Sequence, residues 1–364
     1  MDQDLAALRA QLSAIDRRIL ELVGERQRIS GEIGARKRAS GYPTRDFARE
    51  KQVLDAGRAA AAEFGFPPAV AEQLLGLLIR SSLANQEQAR VRAEGQGRGL
   101  PALVIGGTGK MGRWFVEFLQ SQGYAVTVAD PAGAVPGFAW APDWRDTPDD
   151  FAVTVVAAPI AATGEVLREI GARRRRGLIF DIGSLKSPFA ADLESLAAAG
   201  LQVTSLHPMF GPDTDLLSGR HVLFLDAGSP AATAEARQLF NSTLAIQTEM
   251  PLAEHDRLMA WILGLSHAVN IAFFSVLAGS GESVPRLAEI SSTTFDAQLQ
   301  VAARVAEESP ELYFSIQADN PHGAAVLGEL GTAVGRIAGL VRDRDEAGFV
   351  QLMRRGREYL ARRR

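Results

Sequence analysis

The chain has no cysteine, five histidines, four tryptophans, four tyrosines and no strong excess of either charge. The missing cysteine excludes disulfides, thiolate metal sites and cysteine nucleophiles. Scarce histidine leaves few side chains able to exchange protons near neutral pH, so the setting of each one matters. A formal net charge of −4 argues against a general nucleic-acid binder, and the run Arg173–Arg176, ahead of a strand pattern, reads as a solvated helix end rather than a phosphate patch. No apolar run is expected to reach the ~18 residues of a membrane span. The opening MDQDLAALRAQL is acidic and amphipathic without an apolar leader core, so a cytoplasmic protein with no membrane or nucleic-acid partner is expected. What is present, 364 residues that are 46% hydrophobic and 23% charged, suffices for two or three domains with ample core.

Three regions follow from the hydrophobic pattern. Residues 1–92 read as helical: Leu5, Leu8, Leu12, Ile15, Ile19, Leu22, Ile29 and Ile33 recur at helical spacing from about Asp4 to Ser40. Such a helix is more than ~50 Å long, too long for a lone small domain to cover, so a second copy of the chain is expected against it. Gly41-Tyr-Pro breaks it, a second helix runs from about Asp46 to Glu63, and FGFPP introduces a third over Ala69–Arg90. Residues 93–101 form a polar, glycine-rich linker. Over 102–251 the strand patterns LVIG, AVTVAD, VTVVAAP, GLIFDIGS, QVTSLHP and HVLFLD alternate with helices, the α/β signature of a doubly wound sheet. Residues 252–364 return to helix, as suits a region supplying substrate contacts and a dimer interface.

The segment Ala102–Asp130 carries the sharpest signal: an apolar strand, a glycine turn, an amphipathic helix and a second strand ending in an acid. Gly107 and Gly109 allow a tight turn and close approach to a pyrophosphate, and Gly112 lets the helix lie near the sheet. Lys110 and Met111 open that helix, whose unpaired N–H groups face the phosphate. Asp130 stands 18 residues past Gly112, where a carboxylate bonds both ribose hydroxyls of NAD and repels a 2′-phosphate. The pattern predicts a Rossmann-type NAD site.

The charges of the first region need their own explanation. Arg26 and Lys37 are 11 residues apart and share a helix face, Arg9 points ~100° away from Arg26, Asp46, Arg49 and Glu50 fall at i, i+3 and i+4, and Ser82 and Gln86 at i and i+4. Together with the over-long helix and the turn YPTRD, the set resembles the all-helical chorismate mutase family, whose interlocked dimer builds each site from both subunits. The resemblance implies that Arg26, Arg49 and the partner's Arg9 bind substrate carboxylates. It puts Lys37 and Gln86 at the ether oxygen of the breaking bond, Glu50 and Asp46 at the ring hydroxyl, and Ser82 nearby. Such a set suits a unimolecular rearrangement, which needs a compact conformer and a cation where negative charge grows.

In the middle region, DIGSLKSP (Asp181–Pro188) and LHPMFGPDT (Leu206–Thr214) sit at carboxyl ends of strands, the edge where ligands bind in open α/β sheets. HPMFGPD, with the nucleotide site and the helical tail, resembles prephenate dehydrogenase, and the full order resembles the bifunctional chorismate mutase–prephenate dehydrogenase family of tyrosine biosynthesis. By that resemblance His207 polarises the ring C4 hydroxyl while hydride leaves to NAD, Ser184 orients the imidazole, Lys186 neighbours the site, and His267 contacts substrate. Tyrosine is a candidate effector and a homodimer is expected. One departure stands out. Where the family's SSxxxR carries a carboxylate-binding arginine, this chain has Asp296. Three readings follow: Arg286 or Arg304 substitutes for it, the substrate carries an amine (arogenate or the 4-amino-4-deoxy analogues of chorismate and prephenate), or the second reaction is lost and the NAD region serves as a sensing module.

Overall fold

The structure is a computed structural model and describes residues 2–362. The helical spacing of the first region yields α1 (Asp2–Ala39), ended at Gly41, whose φ of +69° glycine adopts without strain. Asp46 caps α2 (Phe47–Glu63) by accepting the Arg49 N–H at 2.9 Å, and Pro68 opens α3 (Pro68–Glu94). All eight leucines and isoleucines of the α1 stripe are 43–60% exposed. A stripe of that length left in water would forfeit much of its burial energy, which is the physical case for a second chain against it.

Eight strands form one sheet: β1 (Pro101–Ile105), β2 (Ala125–Ala129), β3 (Ala139–Ala141), β4 (Val153–Val156), β5 (Leu178–Asp181), β6 (Val203–Pro208), β7 (His221–Asp226) and β8 (Ile246–Pro251), ordered β3-β2-β1-β4-β5-β6-β7-β8. All neighbours are parallel except β6 and β7. The order reverses between β1 and β4, so a crevice lies at their carboxyl ends. The sheet's faces are covered by α4 (Lys110–Ser121), α5 (Ile160–Arg173), α6 (Ala190–Ala198) and α7 (Pro230–Gln238), with apolar cores on either side. The sequence pattern did not reveal β3 or β8. β3 is only AWA, and β8, IQTEMP, is largely exposed and has no apolar alternation.

The remaining chain forms α8 (Leu252–Met259), a π-helical turn (Ala260–Leu265), α9 (Ser266–Gly279), α10 (Val284–Glu289), α11 (Thr293–Ala306), α12 (Pro310–Ala318), α13 (Gly323–Arg342) and α14 (Glu346–Ala361). Two sequence expectations need correction. No charged residue separates Arg257 from Glu282, and the helical stretch Leu252–Gly279, like α13, is long and apolar enough to cross a membrane by length and composition. Nor is the four-arginine run wholly solvated. Arg174 takes the left-handed C-cap of α5 at φ +53°, but the Arg175 side chain is buried. It donates to the Trp144 carbonyl at 3.0 Å and to Thr147 Oγ1 at 2.8 Å, and pairs with Asp149 at 3.1 Å.

Candidate active sites

A cavity of about 290 Å³ opens among the first three helices. It is lined by Arg26 and Lys37 from α1, Asp46, Arg49 and Glu50 at the start of α2, and Ser82 and Gln86 from α3, so the sequence-predicted set comes together except for Arg9. Arg9 precedes Arg26 by 17 residues on one helix, ~25 Å along its axis, and could reach such a cavity only from another chain. Arg26 Nη1 donates to Ser82 Oγ at 2.7 Å and to the Leu78 carbonyl at 3.0 Å, and Lys37 Nζ to the Thr44 carbonyl at 3.1 Å. Gln86 spends both amide hydrogens on Ser30, at 2.8 Å each, and must exchange one to reach an ether oxygen. Arg45, which sequence reasoning passed over, grips both oxygens of Glu50 at 2.9 Å and reaches Ser218 Oγ at 2.6 Å. Three cations and two carboxylates around an apolar wall can compress a dianion and stabilise charge on an ether oxygen.

The glycine turn lies at the sheet's switch point. A Cβ on Gly112 would run into the Gly106 carbonyl oxygen, whereas one on Gly109 would meet only that oxygen, at an ordinary 3.4 Å. Gly112 is therefore required by the fold, while the space beside Gly109 suits a close-approaching phosphate at the α4 N-terminus. Met111 packs on the core and Lys110 Nζ pairs with Glu308 at 3.2 Å, bringing the last helical region to the turn. Asp130 is buried, and its carboxylate accepts Thr108 N–H at 3.0 Å, Thr108 Oγ1 at 2.6 Å and Ala132 N–H at 2.9 Å. These bonds hold its carboxylate against the turn, where a ribose diol would meet it. Turn and acid fit NAD.

At the same carboxyl edge of the sheet, two strands beyond β4, His207 stands next to last in β6, buried at 4% exposure. Its orienting partner is not the expected one. No hydrogen bond joins Ser184 to His207 among the described residues; Nδ1 lies 2.8 Å from Nε2 of His255, whose own Nδ1 is 2.5 Å from Asp256 Oδ1. Burial, then His255 and Lys186, hold the His207 imidazole well below the ordinary histidine range. Burial also lowers His255, against the pull of Asp256. Burial alone would raise Asp256, but hydrogen bonds from His255 and Ser187 leave it lowered. Lys186 is no surface cation: it is 1% exposed, with Nζ 2.5 Å from Asp181 and 2.8 Å from the Leu206 carbonyl. His255 and Asp256 were missed because a His-Asp pair inside an amphipathic helix resembles a solvated face.

His267 is buried on α9 just past the π turn, stacked on Tyr313 with ring centroids 4.1 Å apart, its Nδ1 without a hydrogen-bond partner among the described residues. Single π turns recur at functional sites because they re-aim the side chains on either side. Asp296, in the first turn of α11, accepts from Ser291 Oγ. Arg286 is engaged with Glu289 at 2.7 Å on the surface, which weakens its claim as substitute cation.

A dinucleotide edge facing a buried histidine, in a chain whose helical cavity gathers cations for a dicarboxylate, defines an NAD-dependent dehydrogenase joined to a helical mutase. Comparison with known proteins agrees. The family profile for chorismate mutase type II matches residues 8–87, that for the prephenate dehydrogenase nucleotide-binding domain residues 138–236, and that for the prephenate dehydrogenase dimerization domain residues 251–355. The T-protein of Enterobacter agglomerans is 27% identical over 99% of this chain and 94% of its own length. The 4-amino-4-deoxyprephenate dehydrogenase of Streptomyces pristinaespiralis is 33% identical over 69% of this chain and 88% of its own. Prephenate dehydrogenase from A. aeolicus, solved with hydroxyphenyl propionate and NAD+, shares the fold at TM-score 0.55 and 17% identity, over 72% of this chain and 98% of that one. The chain belongs to the bifunctional chorismate mutase–prephenate dehydrogenase family. Both apolar helical stretches fall within the dimerization-domain match.

Proposed function

We propose that one chain carries out two consecutive steps, rearranging chorismate to prephenate in the helical cavity and oxidatively decarboxylating prephenate to 4-hydroxyphenylpyruvate beside the sheet. The observation that carries the reading is the pairing of a cation-lined helical cavity with a buried histidine at the carboxyl edge of the sheet. In the cavity, Arg26 and Arg49 hold substrate carboxylates and Lys37 faces the ether oxygen, with Arg9 supplied by the second protomer of a homodimer. NAD accepts the hydride from ring C4. His207 takes the C4 hydroxyl proton, loss of the ring carboxylate as CO2 returns its bonding pair to the ring, which becomes aromatic, and the C4 oxygen takes the proton back to complete the phenol. Asp130 selects NAD over its 2′-phosphorylated form. A cytoplasmic location and tyrosine as an effector belong to the same reading; the effector would appear as tyrosine-dependent slowing of NADH formation.

A second reading concerns the second substrate. Asp296 reverses the charge of the family's carboxylate-binding arginine, and the relative that acts on an amino substrate is 33% identical. Both support an amine-bearing cyclohexadienyl substrate. NADH production from prephenate, arogenate and 4-amino-4-deoxyprephenate, compared as kcat/KM, separates the two. The first reading requires prephenate to lead, and an amino substrate in the lead replaces it with the second.

A further inference from the structure

We propose that His255 is the positioning residue of the dehydrogenase site: Asp256 fixes its tautomer, its Nε2 accepts the Nδ1–H of His207, and it serves as the second station for the proton that His207 removes from substrate. The inference rests on the dehydrogenase reading above and deepens it.

The tautomers follow from counting donors. Asp256 receives the backbone N–H of Lys186 at 3.0 and 3.1 Å on its two oxygens, the Ser187 N–H at 2.6 Å and Ser187 Oγ at 2.5 Å. Backbone N–H groups can only donate, so this carboxyl is an acceptor, and His255 Nδ1 at 2.5 Å must carry the hydrogen. In a neutral ring Nε2 is then the lone-pair nitrogen. His207 Nδ1, 2.8 Å away, must donate to it, which leaves the lone pair of His207 on Nε2. Among the described residues no hydrogen bond occupies that atom. The arrangement thus presents a base without any contribution from Ser184.

The groups facing the two rings also decide where charge can rest. His207 is met by His255 and Lys186, and His255 by Asp256, Lys186, Asp181 and His207. Lys186 and Asp181 already form their own pair, at 2.5 Å. An imidazolium at His207 would be buried beside a cation without a carboxylate of its own, whereas one at His255 would contact Asp256. In the step, the substrate O–H bond breaks as an N–H bond forms at His207 Nε2. The Nδ1–H bond of His207 breaks as an N–H bond forms at His255 Nε2. The hydride goes to NAD, so no further oxidant or co-reactant is needed.

The test uses full-length protein. In nitrogen-15 NMR of histidine-labelled enzyme, with His207 assigned through His207→Asn, the account expects a protonated Nδ1 and a bare Nε2. The opposite tautomer overturns it, whatever the activity. In kinetics, His255→Gln keeps an acceptor for the His207 N–H but cannot take the proton, and His255→Leu removes both functions. The expected falls in dehydrogenase kcat are ~10-fold and ~100-fold respectively, below and at the lower end of the range for a direct general acid or base, as suits a residue that acts through another, with KM for the cyclohexadienyl substrate, NAD affinity and mutase activity retained. Losing His255 should also move the acidic limb of the kcat profile to lower pH, because the first proton the pair takes up rests at His255 beside Asp256, whereas His207 alone has no carboxylate. Wild-type kcat and an unmoved limb in His255→Leu would overturn the relay. A wild-type protein that oxidised no cyclohexadienyl substrate would instead overturn the dehydrogenase reading, and the NMR result would still decide the tautomer.

Discussion

Glu87 of α3 accepts the backbone N–H of Leu217 at 2.8 Å and that of Leu244, so a helix lining the mutase cavity is fastened to loops of the dehydrogenase sheet. Burial raises the Glu87 carboxyl despite those bonds. One residue along, Ser218 receives Arg45, whose fork holds Glu50 in the cavity. The loop from Met209 to Arg220 also begins beside His207, so the two sites share it.

The shared loop gives the first prediction. A non-reactive dicarboxylate that fills the mutase cavity should alter the dehydrogenase KM in the wild type, and Ser218→Ala should diminish that response. An identical response in both proteins would remove the loop as the link. Glu87→Ala leaves two N–H groups unpaired at roughly 1–3 kcal/mol each, and should lower the melting temperature of the whole chain rather than of a separate mutase.

The glycines of the turn divide by cause. Gly109→Ala has room for its methyl group and should melt like the wild type while losing at least ~10-fold in NAD affinity, because the methyl occupies the phosphate approach. Gly112→Ala should lose stability first, since its methyl meets backbone. Calorimetry paired with NAD titration distinguishes them, and equal NAD affinity in Gly109→Ala would move the phosphate elsewhere.

Stability should fall in acid for an identifiable reason. His207, His255 and His267 all have folded pKa values below the ordinary 6.5. Between the folded and unfolded values the unfolded chain binds more protons, so stability rises with pH there. The contribution is complete above 6.5 and is lost as pH falls from that value through the depressed ones. Melting temperature measured from pH 7.5 down to 5 should show this slope, and His267→Asn should flatten it in part. A slope unchanged in that variant would exclude His267 from the titration.

Asp296→Arg addresses substrate choice. A charge-assisted bond worth roughly 1.5–3 kcal/mol should lower KM for prephenate by ~10- to 100-fold if its carboxylate binds there. An amino substrate that uses Asp296 should lose by a similar factor. No change for either would place position 296 outside the site.

The periodicity of Leu5 to Ile33 and the Gly107–Gly112 turn announce helix and strand–turn–helix directly, because each depends on local spacing that burial merely uses. The polar cavity around Arg26 and Glu50 was legible through the family resemblance and the i, i+3, i+4 placements. The Asp256–His255–His207 chain was not. It joins β6 to α8 across 48 residues, and no local pattern encodes which ring nitrogen meets which. Arg175 was misread for the same reason: its partners Trp144 and Thr147 lie 31 and 28 residues away, and only the packed sheet brings them within reach.

The central claim is that one chain holds two separate, consecutive active sites. The direct measurement supplies chorismate and NAD to purified protein and follows chorismate loss and NADH formation as two traces. Chorismate should fall first and NADH rise after a lag. Lys37→Ala should abolish the first trace while added prephenate still yields NADH, and His207→Asn should leave the first trace intact and reduce NADH formation by about 10²- to 10⁴-fold. A Lys37→Ala protein that still consumed chorismate, or a His207→Asn protein with an unreduced NADH rate, would contradict the account.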